Sequence, residues 1–454
     1  MKRNFDKYLL KWKEKRNRKP LIIRGARQVG KTYSVEQFAE KNYEIFIKIN
    51  FEETPELKEF FLTNDVIKIK QNLEIYFGEK IIPQKTLLFL DEIQACPEAI
   101  TTLRYFYEKM PELHVVAAGS LLDHVLNALQ YSMPVGRVEF GYMYPLDFYE
   151  FLNALGNNSL TNFLNNYNFE TKIPSAIHNK LLELLRLYYF IGGMPEAVKV
   201  YNTEKSLTDV EIVHESIIKS FEYDFAKYGS KNDQEILVRT LRYVPKSIGK
   251  KFKYSNVAEN VRSENIKRSI NLLRLSRIVQ FVYNTSASKV PLESGVKEKM
   301  FKPIFMDIGL ANHILKLRIT NVENLITENE GDLAEQFIGQ QLLSMFPEYM
   351  DSHLYYWQRE KRNSEAEIDF VVEQNNTIIP VEVKAGKTGS LKSLHIYAAE
   401  KKLHTALRLN LDFPSHGEVN HSVKLGNTVK NISYRLFSLP LYLIKEYGRL
   451  IYGD

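Results

Sequence analysis

Apolar residues in the first third of the chain gather into short runs, from Leu21 to Ile23, Ile45 to Asn50, Thr86 to Leu90 and His114 to Ala117. Runs this short, with helical spacing between them, predict buried strands alternating with helices. Over residues 20 to 150 that alternation predicts a parallel sheet covered by helices on both faces. From 151 to 238 the spacing is helical, broken at Gly192-Gly193-Met194-Pro195. Between 239 and 315, Ser255 to Ala258 and Ser263 to Val279 read as two helices joined by a short turn. Gln280 to Tyr283 and Met300 to Phe305 read as two strands. Ile266, Ile270 and Leu273 share one helical face and are expected in a core, whereas Lys267, Asn271 and Arg274 share another. Beyond 316 a helix, Leu333 to Leu343, leads into two strands, Glu367 to Val372 and Ile378 to Lys384.

The first apolar run leads directly into Gly25-Ala26-Arg27-Gln28-Val29-Gly30-Lys31-Thr32, and a helical segment follows. Strand, glycine loop and helix in that order form the setting in which such a loop holds phosphates. The glycines let backbone N–H groups turn toward an anion. The helix start adds a partial positive charge. Lys31 is placed to reach the β- and γ-phosphates of ATP, and the Thr32 hydroxyl to ligate Mg²⁺. The third run ends in Asp91-Glu92, at the carboxyl end of a parallel strand, where ligands bind. Asp91 is expected to support the Mg²⁺ ion and Glu92 to polarise the attacking water. Ser120, just past the fourth run, is placed to sense the γ-phosphate, to cap a helix, or both. Arg137 reads either as a finger toward phosphate, from this subunit or a neighbour, or as an ordinary ion pair.

Hydrophobic residues are 44% and charged residues 26% of the chain, as in ordinary globular proteins, and 454 residues exceed one typical core. The single cysteine, Cys96, excludes an internal disulfide and a Cys-based zinc site. No apolar run approaches the roughly 20 residues that span a bilayer. The N-terminal stretch lacks the apolar segment of a secretory signal, so a cytoplasmic protein without a membrane partner is expected. The net charge of +6 is unevenly placed: residues 239–277 hold eleven Lys/Arg and two Glu, and residues 1–20 hold nine Lys/Arg and two acids. Two basic blocks point to a polyanion such as DNA, with a merely solvated surface as the alternative for each. A helix with a basic outer face followed by two strands is the pattern of a winged helix-turn-helix unit.

In the C-terminal strands, alternation puts Glu382 and Lys384 on one face. Asp369 on the adjoining strand would complete a hard-oxygen site for Mg²⁺, and Glu335 on the preceding helix would reach the same ion. Such an ion activates water for phosphodiester hydrolysis, with Lys384 stabilising charge at the phosphate. A cross-strand ion pair between Glu382 and Lys384, on a domain that does not cut, is the alternative.

The run Arg24 to Thr32 resembles a prokaryotic AAA-type ATPase family, as do Leu90-Asp91-Glu92-Ile93-Gln94, Ala118-Gly119-Ser120, Gly136-Arg137 and Tyr144-Pro145-Leu146. In that family the P-loop NTPase domain is followed by a C-terminal domain called DUF4143. Tyr189 to Ala197 is similar to the family's lid-helix motif, which implies that Pro195 packs on the adenine ring. The resemblance also implies a winged-helix-like unit in the basic block. Asp369, Glu382 and Lys384, with Glu335, are similar to the motif positions of PD-(D/E)xK nucleases. The expected fold is α/β, with a P-loop AAA-type ATPase domain over 1–150 and a helical lid over 151–238. A basic winged-helix-like domain over 239–315 and a restriction-endonuclease-like α/β domain over 316–454 complete it. The expected function is ATP binding and hydrolysis with Mg²⁺ by a protein acting on, or regulated by, DNA. The alternative is an ATP-driven switch or scaffold whose C-terminal domain binds a partner without cleavage. An Arg137 finger acting in trans would require a homo-oligomer.

Overall fold

The computed structural model describes residues 1–120, 134, 136–225, 229–317, 330–351, 353–360, 366–386, 391–426 and 428–453. They form two compact units. The first is Met1–Leu146 with Asn271–Ile278 and Phe346–Asp351; the second is Asp147–Ile270 with Val279–Met345 and Ser352–Asp454.

The first unit is built on five parallel strands, β1 (Leu21–Arg24), β2 (Ile45–Asn50), β3 (Thr86–Asp91), β4 (His114–Gly119) and β5 (Glu139–Tyr142), in the order β2-β3-β4-β1-β5. Four lie on the apolar runs. β3 is buried along its whole length, with Leu87, Leu88, Phe89 and Leu90 at 0% exposure. Each such side chain contributes about 1.5–3 kcal/mol on leaving water. The fifth strand, Glu-Phe-Gly-Tyr, has no apolar run to announce it. It is held by packing: a Cβ on Gly141 would meet the Phe5 ring at 2.8 Å, so the N-terminal helix Asn4–Glu14 lies directly on it. Because the strands are parallel, Arg24, Asp91 and Gly119 all end at one edge of the sheet.

In the second unit, helices run from Phe148 to Tyr243, including Ser175–Ile191 and Pro195–Glu204. An eight-stranded mixed sheet follows, made of β6 (Val279–Thr285), β7 (Val296–Phe305), β8 (Leu354–Gln358), β9 (Glu367–Gln374), β10 (Thr377–Val383), β11 (Thr405–Asn410), β12 (Ser415–Leu425) and β13 (Thr428–Pro440). The order is β12-β13-β11-β10-β9-β8-β6-β7. β9 and β10 form a tight hairpin through Asn375 and Asn376, both at positive φ (46° and 58°), as a primed turn requires. The two strands read as a wing do pair antiparallel. β6 also pairs with β8, so they form one end of this sheet.

In the basic block, the helix expected from Ser255 to Ala258 is a single 3₁₀ turn, Tyr254–Asn256. The next helix forms over Ser263–Leu275 and stops short of Val279, because Arg277 turns to φ 59° and Val279 enters β6. Ile266, Ile270 and Leu273 are at 0% exposure.

Candidate functional site

The loop after β1 takes its shape from three positions. A Cβ on Gly25 would meet the Met143 carbonyl oxygen at 2.4 Å, so no other residue fits there. Gln28 and Gly30 both have positive φ (65° and 93°), and Gly30 caps the helix Lys31–Asn42. Lys31 is 7% exposed, and its Nζ donates to the carbonyls of Gly25 (3.0 Å) and Ala26 (2.8 Å). Burial lowers its pKa to about 8, against the pull of Glu92 and Asp91. The Thr32 hydroxyl donates to Asp91 Oδ2 at 2.9 Å. A hydroxyl and a carboxylate in contact are hard oxygen donors, so these residues fit Mg²⁺. Burial raises the Asp91 pKa, with Glu92 adding to it and Thr32 opposing it.

Glu92 sits at φ 48°, a conformation rare outside glycine and costing of order 1–3 kcal/mol. Its side chain accepts from Gln94 Nε2 at 2.5 Å. A Cβ on Gly119 would meet Gln94 Oε1 at 2.3 Å, so β4 makes room for this pair with glycine. Ser120 follows directly and is 7% exposed. Arg137 lies elsewhere on the unit: its Nε is 2.9 Å from Glu108 Oε1, which Arg104 also contacts, and nearly half of its side chain is exposed. Pro195 belongs to the second unit, where it opens the helix Pro195–Glu204.

Two residues at this site were missed from the sequence. Lys48 on β2 pairs with Glu36 at 2.9 Å and lies 3.9 Å from Asp91. A lone lysine in Ile-Phe-Ile-Lys-Ile-Asn was the available signal. Arg3, 6% exposed, donates to the carbonyls of Val29 (3.0 Å) and Tyr144 (2.6 Å). Nothing in the N-terminal run distinguishes it from its basic neighbours.

The C-terminal carboxylates do converge, but around lysines. Lys384 Nζ is 2.5 Å from Glu382 Oε1, and Asp369 Oδ2 accepts from the Val383 backbone N–H at 2.7 Å. Glu335 is 3.3 Å from the Nζ of Lys302, a residue of β7 that also ion-pairs with Glu367. Burial raises the pKa of Glu335 to about 8, with Lys302 opposing; burial and Asp369 raise that of Glu382 to about 7. Among the described residues no group of three or more His, Cys, Asp or Glu side chains is placed to hold a metal ion. With Lys302 against Glu335 and Lys384 against Glu382, these acids as placed do not fit the expected ion, and no step is derived through one.

Among the described residues no helix is long and apolar enough to cross a membrane. No curated protein matches the chain. Among solved structures it is similar to a Walker-type ATPase of Pyrococcus abyssi, with 15% identity over 69% of this chain and 95% of that one and a TM-score of 0.45. It is also similar to the ORC2 protein of Aeropyrum pernix, at 13%, 68%, 88% and 0.34 in the same order. Three family descriptions match successive segments: an AAA domain over residues 17–152, a domain of unknown function (DUF8612) over 182–321, and a domain of unknown function (DUF4143) over 330–431. The first covers the glycine loop, Asp91 and Glu92, and the last covers Asp369, Glu382 and Lys384. A parallel sheet lies beneath the former and a mixed sheet beneath the latter, so the chain carries an AAA domain followed by a C-terminal match to DUF4143.

Proposed function

We propose that the first unit binds and hydrolyses ATP, and that the chain is an ATP-driven switch whose C-terminal domain engages a partner without cutting it. The observation that carries this reading is the buried Lys31 ammonium resting on two neutral loop carbonyls. Phosphate oxygens are stronger, charge-assisted acceptors and take those places when ATP enters. Loop N–H groups from Gly25, Ala26, Arg27, Gln28, Val29 and Gly30 complete the cradle. Thr32 and Asp91 would hold Mg²⁺, which neutralises charge on the phosphates. Glu92, steadied by Gln94, accepts the proton of the attacking water. Ser120 at the end of β4 senses the γ-phosphate, and Arg137 leaves Glu108 to stabilise the transferred phosphate. Supplied by a second copy, Arg137 would make the working form a homo-oligomer. A cytoplasmic location and a DNA partner for the basic block belong to the same reading.

The nuclease reading, in which Asp369, Glu382 and Glu335 hold a metal and Lys384 assists, is the less favoured of the two. Lys302 and Lys384 already engage Glu335 and Glu382. Two assays test the ATPase that both readings share, and a third separates them. Titration calorimetry with ATP gives heat for the natural chain and none for Lys31→Ala. Phosphate release falls about 10²–10⁴-fold in Glu92→Gln while ATP heat persists. Plasmid DNA with Mg²⁺ or Mn²⁺ stays intact; nicking that is lost in Asp369→Ala and Lys384→Ala would restore the nuclease reading.

A further inference from the structure

A cation from outside the DUF4143 segment, and outside the sequence motif, reaches the acids at its centre. Lys302 comes from β7, three strands away from β9 in the sheet order, and reaches across the sheet to the carboxylates. Its side chain is 3% exposed. Its Nζ lies 3.3 Å from Glu335 Oε2, pairs with Glu367 and sits 5.3 Å from the centre of the Tyr356 ring. Glu367 and Asp369 project from the same face of β9, two residues apart, so the ammonium stands among the acids from the helix Glu330–Met345 and from the central strand.

A buried lysine is rare and costly unless its charge is matched. Here the match is specific. One carboxylate, Glu335, comes from a helix and belongs to the expected metal-binding set; the other, Glu367, comes from the strand that also carries Asp369. Mg²⁺ needs near-octahedral oxygen at about 2.1 Å, and Mn²⁺ likewise favours hard oxygen donors. An ammonium against the Glu335 carboxylate occupies the space beside one of the expected ligands, and its charge repels a second cation.

We propose that Lys302 is the resident cation of this centre: its ammonium neutralises the acids in place of a divalent metal, and the centre accepts a divalent ion only when Lys302 is removed. The proposal accords with the non-cutting reading of the domain and does not depend on ATP.

The test is Mn²⁺ binding, followed by electron paramagnetic resonance of free Mn²⁺, on the full chain without nucleotide. Asp91→Asn is present throughout to silence the phosphate-loop site. With Lys302 in place, no Mn²⁺ is taken up at millimolar concentration. With Lys302→Met, one Mn²⁺ binds per chain at least about tenfold more tightly, and adding Asp369→Asn removes it again. Uptake by the chain that retains Lys302, abolished by Asp369→Asn, would overturn the proposal. So would a folded Lys302→Met chain that binds no Mn²⁺. Where circular dichroism finds Lys302→Met unfolded, the comparison with and without Asp369→Asn on the Lys302 background still decides, and Glu367→Gln, which loosens Lys302 without deleting it, gives partial uptake. Plasmid nicking is read separately, so cutting without Mn²⁺ uptake would sink the non-cutting reading and leave the resident cation standing.

Discussion

Arg3 spans 26 residues of sequence to reach the Val29 carbonyl and 141 to reach that of Tyr144. One guanidinium thus ties the phosphate loop to the chain leaving β5. It also turns a loop carbonyl, an anion-repelling dipole, toward itself. A hydrogen bond to a charged group contributes about 1.5–3 kcal/mol. Arg3→Ala is therefore expected to raise the KM for ATP about tenfold while kcat stays within about threefold, and Arg3→Lys to recover part of the loss. Steady-state phosphate release over a range of ATP concentrations measures both. An equal fall in kcat would mean that Arg3 only keeps the unit folded.

At the scale of elements, the helix Glu330–Met345 is tied to its surroundings by glutamines. Gln336 bonds both the N–H and the carbonyl of Phe305, Gln340 accepts from the Ile308 N–H and donates to the Tyr188 hydroxyl, and Gln341 accepts from the Phe148 N–H. Gln340 also donates to Asp307, which is fully buried and accepts from the N–H groups of Gly193 (2.6 Å) and Leu310 (3.1 Å). Gly192 is required beside it: φ is 71°, and a Cβ would meet Asp307 Oδ1 at 2.0 Å. The Gly192-Gly193-Met194-Pro195 turn and the DUF4143 helix therefore share one carboxylate. Burial raises the Asp307 pKa from 3.8 to about 6, against those N–H donors. The folded state keeps this proton to higher pH than the unfolded chain, so the contribution is complete below about pH 4 and is lost as pH rises through 6. The stability advantage of the natural chain over Asp307→Asn should shrink by roughly 3 kcal/mol across that window. Urea unfolding followed by tyrosine and tryptophan fluorescence from pH 4 to 7 would give it; a constant difference would contradict the assignment.

At the scale of the whole molecule, each basic block divides into engaged and exposed charges. In the N-terminal block, Arg3 is buried, Lys13 donates to the Asn42 carbonyl and Lys15 pairs with Glu139. These charges are engaged in holding the first unit together. In the second block Lys246, Lys253, Arg262, Lys267 and Arg268 are exposed. If that face meets a DNA backbone, each phosphate contact contributes about 0.9 to the slope of log affinity against log salt. Replacing Lys267 and Arg268 together by Glu is expected to lower the slope by about 2 and to weaken binding equally on unrelated duplexes, as fluorescence anisotropy at several salt concentrations would report. An unchanged slope would return these charges to the solvated surface.

What the chain determined by itself was local. Four strands of the first sheet, the phosphate loop and the hairpin bearing Asp369 and Glu382 were legible because apolar runs, glycines and carboxylates lie close together in sequence, where period and spacing express them. β5 and the fate of Ser255 to Ala258 were not, since four residues of strand and one turn of 3₁₀ helix carry too little pattern. The partners of the charged groups were decided only by the tertiary fold. Arg3 and Lys302 look like any surface cations in the sequence, and became buried because distant strands and helices brought carbonyls or carboxylates to them. Desolvating a charge is costly enough that the position of its partner, set by the whole fold, determines what that charge does.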